Sequence, residues 1–218
     1  MKKSGVTIAV LASLVASQHV VAFEKGDLIA RVGIANVSPD ESTSNVFVGG
    51  ADQGASLEIG DDTQLGLNFA YFITDRINVE VLAATPFSHD VSFSNGARLG
   101  EVTHLPPTVS VNYYLNSPSS AFQPYAGIGL NYTFIYDEEF SSENEAAGLS
   151  DLSLDNSFGL AAQIGADYIL DEKWFINGAV RWIDIDTEAT FSAGADRGSV
   201  STIEIDPVVY MVSVGYKF

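Results

Sequence analysis

A chain of 218 residues without cysteine has no disulfide framework, no thiol nucleophile and no cysteine-ligated metal. Its 28 acidic residues outnumber 10 basic ones, giving a net charge of −18 that repels phosphate backbones and argues against nucleic acid as a partner. Hydrophobic residues make up 46% of the chain, yet past residue 22 no run approaches the roughly 20 consecutive apolar residues that a membrane-crossing helix needs.

The chain opens on Lys2 and Lys3, a mostly apolar run from Val6 to Val15, and Val20-Val21-Ala22, which offers a signal peptidase a small residue at −1 and a tolerable one at −3. Residues 1–22 are therefore expected to be a secretory signal peptide, and residues 23–218 the folded domain. The apolar run is too short to be read as a membrane helix.

From Leu28 onward apolar residues alternate with small or polar ones, the period of a β-strand. Leu28 to Val37 places Leu28, Ala30, Val32 and Ile34 on one face, and Arg31, Gly33 and Ala35 on the other. Thr63 to Ile73 sets Leu65, Leu67, Phe69 and Tyr71 against Gln64, Gly66, Asn68 and Ala70. After a tight turn, Ile77, Val79 and Val81 oppose Asn78, Glu80 and Leu82. A fourth strand is expected over Leu105 to Leu115, and a fifth over Phe122 to Phe134 with Gln123, Gly127, Gly129, Asn131 and Thr133 on its small face. Phe158 to Tyr168 carries Gly159, Gln163, Gly165 and Asp167 on that face, and Trp174 to Trp182 carries Asn177, Ala179 and Arg181. The last strand alternates Val208, Tyr210, Val212, Val214, Tyr216 and Phe218 with Met211, Ser213, Gly215 and Lys217.

A soluble sandwich hides its large aliphatics and shows charge. Here the non-aliphatic face is small and mostly neutral, with scattered charges at Arg31, Glu80, Asp167, Arg181 and Lys217, which suits a narrow polar interior inside a lipid-facing wall. Connections alternate: 74–76, 116–121 and 171–173 are short, while 38–62, 88–104, 137–156 and 187–200 are long and hold much of the acid. The fold expected is all-β: an eight-stranded antiparallel transmembrane β-barrel with short periplasmic turns and long extracellular loops. It belongs in the outer membrane of a Gram-negative cell.

Several segments together resemble the OmpW family of outer-membrane proteins: Asp62-Thr-Gln-Leu-Gly-Leu67, Val79-Glu-Val-Leu-Ala-Ala-Thr-Pro-Phe87, His104-Leu-Pro-Pro-Thr108, Pro124-Tyr-Ala-Gly-Ile-Gly-Leu-Asn-Tyr-Thr133, Gly148-Leu-Ser-Asp-Leu-Ser-Leu154, Asp184-Ile-Asp186, Asp206-Pro207 and Gly215-Tyr-Lys-Phe218. The resemblance implies a barrel with a narrow, partly apolar interior, proposed to move small hydrophobic molecules, with relatives linked to alkane uptake. It places Leu82 where the family has an apolar lumen side chain. Arg181 stands at an inward position that can be aromatic in relatives, which implies either a less apolar constriction or an ion pair with Glu80 or Asp167. Tyr216 and Phe218 resemble the terminal signal read by the barrel-assembly machinery.

From register alone, Leu82, Glu80, Asn131, Gln163, Arg181 and Met211 are expected to line the lumen. Pro86, Pro106, Pro107 and Pro207 each remove a backbone donor in or beside a strand. In hydrocarbon an unpaired backbone group is costly, so these breaks either loosen the wall near the outer leaflet or simply end strands. His89 and His104 lack a nucleophile at recognisable spacing and read as surface histidines. Asp61-Asp62 and Asp137-Glu138-Glu139 lack the spacing of a calcium loop and read as solvated charge. Gly127 and Gly129 are not followed by a nucleotide-binding helix, the sequons at Asn36 and Asn131 fall within strands, and Ser142 with Glu145 suggests one capped helical turn.

The function expected is passive uptake of small hydrophobic solutes, with no enzymatic activity, no cofactor and no metal. The partners expected are those solutes, outer-membrane lipid and lipopolysaccharide, and the assembly machinery. The alternative is a surface protein whose loops serve as a phage or bacteriocin receptor, adhesin or stress-response element. A lipid-modifying enzyme would need His89 or His104 to act.

Overall fold

The computed structural model describes residues 21–218, so the signal-peptide expectation falls almost wholly outside the described residues. Eight strands span the membrane: β1 (Leu28–Ser38), β2 (Asp62–Thr74), β3 (Ile77–Ala84), β4 (Thr108–Tyr114), β5 (Phe122–Phe140), β6 (Ser157–Ile169), β7 (Trp174–Ile183) and β8 (Val208–Lys217). Each pairs antiparallel with its neighbour in sequence, and β1 pairs with β8, so the sheet closes without an edge. Closure satisfies backbone groups that hydrocarbon would otherwise leave unpaired.

Alternation then decides what each face meets. Ile128, Val212 and Phe158 are 74, 73 and 68% exposed and stand in a continuous apolar wall, far larger than a water-soluble monomer shows. Trp174, Tyr216 and Phe218 stack edge to face at 4.9 and 5.0 Å on the periplasmic side, and Tyr132 and Phe134 at 4.8 Å on the other. These aromatics suit the two interfaces of the bilayer. Phe218 also anchors the end of β8 through its amide to the Leu28 carbonyl, 3.0 Å.

Local chemistry closes the periplasmic turns. The Thr74 hydroxyl accepts the Arg76 and Ile77 amides, and Asp171 Oδ1 accepts those of Lys173 and Trp174.

On the extracellular side the expectation of plain loops needs correction. β5 continues to Phe140 and pairs with a strand at Arg98–Leu105, which pairs with Phe87–Phe93 and onward to Leu57–Ile59. A second extension joins Leu149–Leu154, Asp186–Ala193 and Asp196–Glu204 to three short strands between 42 and 52. The single strand expected over Leu105 to Leu115 is two strands, because Pro106 and Pro107 interrupt its pairing. The helical turn is present at Ser142–Ala146, but Ser141 stands at its N-cap and makes no side-chain cap bond.

Candidate functional site: a layered lumen beneath an apolar vestibule

Inward residues sort into layers along the barrel. At the periplasmic end Phe23 stacks on Phe72 at 4.7 Å and meets Tyr114 and Phe175 edge-on. Tyr125, Ile29, Ala70 and Ile169 complete this apolar plug.

Above it lies a buried ionic layer. Arg31 grips Asp167 with two nitrogens, at 3.1 and 2.7 Å, and reaches Glu80 at 3.0 Å. Arg181 pairs with the other Glu80 oxygen at 2.9 Å and also bonds Gln163. Two cations thus face two carboxylates, and the layer carries no net charge. Tyr114 donates to Asp167 at 2.8 Å, Asn177 bonds Asp167 at 2.9 Å, and Gln163 and Asn112 donate to Glu80 at 3.0 and 3.2 Å. These bonds meet much of the layer's hydrogen-bonding capacity, which buried ions need in order to persist, though Nε and Nη1 of Arg181 are buried without a partner. The Arg31 guanidinium lies 5.5 and 5.7 Å from the Phe175 and Tyr125 ring centres, which ties the ionic layer to the aromatic plug.

The next layer is apolar. Leu82 and Met211, with Ala35, Ala161, Ile183 and Val209, belong to one buried cluster that continues upward through Phe87, Ile185, Ile203 and Ile205. Further members of the cluster, Val46, Leu57, Ala189 and Val200, line an extracellular vestibule with a cavity of about 570 Å³, together with Leu99, Phe140, Leu152 and Phe191 and, among polar residues, Gln53, Ser94 and Asn95.

The six residues expected in the lumen thus occupy different levels. Glu80, Gln163 and Arg181 meet in the ionic layer, and Leu82 and Met211 form its apolar roof. Asn131 bonds Thr108, Thr133 and the Pro107 carbonyl, bracing the wall between β4 and β5. Arg31 and Asp167 carry as much of the layer as Glu80 and Arg181; their inward register was the only signal of it. Gly127 and Gly129 make room for this layer, since a side chain at either would collide with Asn112 or Ser110.

The wall is interrupted beside the roof. The β3–β4 ladder ends at Leu82 opposite Thr108 and resumes at Phe87 opposite His104. Between these pairs lie residues 83–86 and 105–107, which include Pro86, Pro106 and Pro107 and exchange no backbone hydrogen bond among the described residues. The flanks stay sealed: the Thr85 amide bonds Leu65, and the Tyr132 amide bonds Pro107. At Pro207 the pairing continues, because its carbonyl accepts the Ile183 amide at 3.2 Å.

His89 and His104 are not surface groups. Both are 4% exposed, and their rings meet edge to face at 4.8 Å where the vestibule wall begins. They are buried because each belongs to the extracellular hairpin rather than to a loop. Asp62 is also structural: it accepts the Thr63 and Ser88 amides and the Gln64 side chain. On the rim Asp184, Asp186 and Asp206 bring carboxylate oxygens within 4.8 Å of one another, and Asp184 and Asp206 accept the Leu160 and Ile185 amides. Burial, then the charges of Asp184, Asp206 and Glu204, push the Asp186 carboxyl up.

A closed, lipid-facing barrel of eight strands with a polar core and an apolar outer vestibule defines an outer-membrane β-barrel of the Gram-negative envelope. The chain belongs to the OmpW family, whose profile matches residues 24–218. It is 48% identical to Outer membrane protein W of Vibrio cholerae serotype O1 over 223 residues, covering 100% of both chains. The crystal structure of the outer membrane protein OprG from Pseudomonas aeruginosa superposes with a TM-score of 0.86 at 42% identity, over 91% of this chain and 99% of that one. A more distant relative, the dibenzothiophene metabolism operon protein PahQ of Pseudomonas aeruginosa, is 27% identical over 191 residues, 86% of this chain and 87% of its own.

Proposed function

We propose that this barrel takes up small apolar solutes from outside the cell and releases them sideways into the outer membrane. The observation that carries the reading is the stacking of an apolar vestibule on a neutral ionic floor, beside an interrupted stretch of wall. A solute that continued straight down would have to part buried ion pairs, at about 3–5 kcal/mol for each one broken. A solute that moves sideways past residues 83–86 and 105–107 enters hydrocarbon, where each Å² of its apolar surface stays out of water at a gain of roughly 25 cal/mol. Pro86, Pro106 and Pro107 serve the route by leaving no backbone N–H to close the ladder. Pro207 plays no part in it, since its strand pairing continues. The relative named for dibenzothiophene metabolism fits a solute of this kind, a flat apolar molecule.

The test is uptake by cells lacking the gene, with and without the protein restored, of an apolar fluorescent dye and a polar sugar in parallel. Faster dye entry with unchanged sugar entry supports the reading. Faster entry of both would mean a water-filled pore. No change in either, with folded barrel in the membrane, would favour a surface-receptor role for the extracellular extension.

A further inference from the structure

Beside the interrupted wall lies a recess of about 60 Å³, lined by His89, His104 and Glu101 among Ile59, Val91, Ile135 and Ile205. That volume holds a small polar group or a few waters rather than a whole solute. The recess shares Leu57, Leu99, Leu152 and Ala189 with the larger cavity, so the two adjoin across these side chains.

Both histidines that line the recess carry an unmet hydrogen-bonding atom. Nε2 of His89 and Nε2 of His104 are buried without a partner, whereas buried polar atoms are almost always paired. His89 Nδ1 lies 2.5 Å from the Gly60 carbonyl. A carbonyl only accepts, so Nδ1 carries the hydrogen, and in the neutral ring Nε2 is left as a bare acceptor. Burial first, and His89 second, push His104 down to about 3, so this ring is neutral and can offer Nε2 as a donor.

We propose that His89 and His104 form a binding station for a single hydroxyl group, so that the vestibule favours neutral apolar molecules bearing one O–H, such as alcohols and phenols, over bare hydrocarbons. A hydroxyl both donates and accepts, so it pairs with His89 Nε2 and His104 Nε2 at once. A hydrocarbon leaves both atoms unpaired. A carboxylate only accepts, and it would bring negative charge to a chain that already carries −18. No third His, Cys, Asp or Glu among the described residues joins the pair at metal-ligand distance. The apolar body of such a solute fits the 570 Å³ cavity while its hydroxyl enters the recess. This inference rests on the apolar-solute reading above and names the class of solute.

The experiment is equilibrium binding of naphthol and of naphthalene to the full barrel in lipid nanodiscs, with empty nanodiscs as the partition control. The proteins compared are the wild type, His89→Phe/His104→Phe and His89→Gln/His104→Gln, each checked for native heat-modifiable mobility. Naphthol should bind the wild type more tightly than naphthalene, and the phenylalanine pair should lose about tenfold for naphthol while keeping naphthalene. The glutamine pair, which can still donate and accept, should recover part of that preference. Unchanged selectivity in the phenylalanine pair, or equal loss of both solutes, would overturn the station while leaving the channel reading intact. Absence of wild-type binding for both solutes would overturn the two together.

Discussion

Glu80 holds one arginine on each of its two oxygens, and this makes it the keystone of the ionic layer. Glu80→Gln keeps the shape but leaves Arg181 without a carboxylate, while Arg31 retains Asp167. The expected cost is about 3–5 kcal/mol, read as a lower urea midpoint of the barrel in lipid vesicles. His104 gives a pH prediction. Its folded value of about 3 lies below the ordinary 6.5, so between these the unfolded chain binds more protons and stability rises with pH. The contribution is present above the unfolded value and is lost as pH falls toward the folded one. His104 faces His89 and Asp62, and its removal in His104→Phe should flatten the loss, about 2 kcal/mol between pH 7.5 and pH 5, seen by thermal melting. At this scale the sequence was partly legible. Alternation placed Glu80, Gln163 and Arg181 inside, and the departure of Arg181 from the family pattern left two readings, a less apolar constriction or an ion pair with Glu80 or Asp167; the structure has the pair with Glu80. Period alone tells the face of a residue but not its height, so it could not tell that Arg31 on β1 reaches across to Asp167 on β6. The histidines were misread for a related reason: burial by a neighbouring strand extension leaves no mark on local composition.

The elements follow the period of two closely, because a closed barrel of this size offers each strand one lipid face and one crowded face. Crowding is tightest where β5 passes β4. A side chain at Gly129 would strike the Ser110 hydroxyl and the Val109 carbonyl. Gly129→Val should therefore destabilise the barrel by about 1–3 kcal/mol and slow its folding into vesicles, measured by the mobility shift on unheated gels. Alternation put Gly127 and Gly129 on the small inward face, and the structure fills the room they leave with Asn112 and Ser110. Strand ends were less legible. Alternation runs through Leu105, Thr108 and Val109 without a break, yet Pro106 and Pro107 stop the pairing, because proline removes a donor without disturbing the order of faces. The extracellular hairpins were read as loops because their alternation is short and mixed with acidic and glycine residues.

Across the whole molecule, the layers divide the barrel into a lower half that is shut and an upper half that is apolar and open outward. Aromatic plug, ionic layer and apolar roof follow one another from periplasm to cell surface. The closed eight-stranded wall and its membrane were legible in the sequence, since both follow from alternation and loop asymmetry. The layering was not, because it depends on contacts between strands that are not neighbours. On the proposed function, solutes leave through the interrupted β3–β4 wall rather than through the ionic floor. The most direct measurement is apolar dye uptake by deletion cells carrying either the wild type or Pro86→Ala/Pro106→Ala/Pro107→Ala, with equal amounts of folded barrel in the membrane. Restored backbone donors should close the ladder and lower dye entry toward that of cells without the protein, leaving sugar entry unchanged. Dye entry at the wild-type rate in this variant would contradict the lateral route.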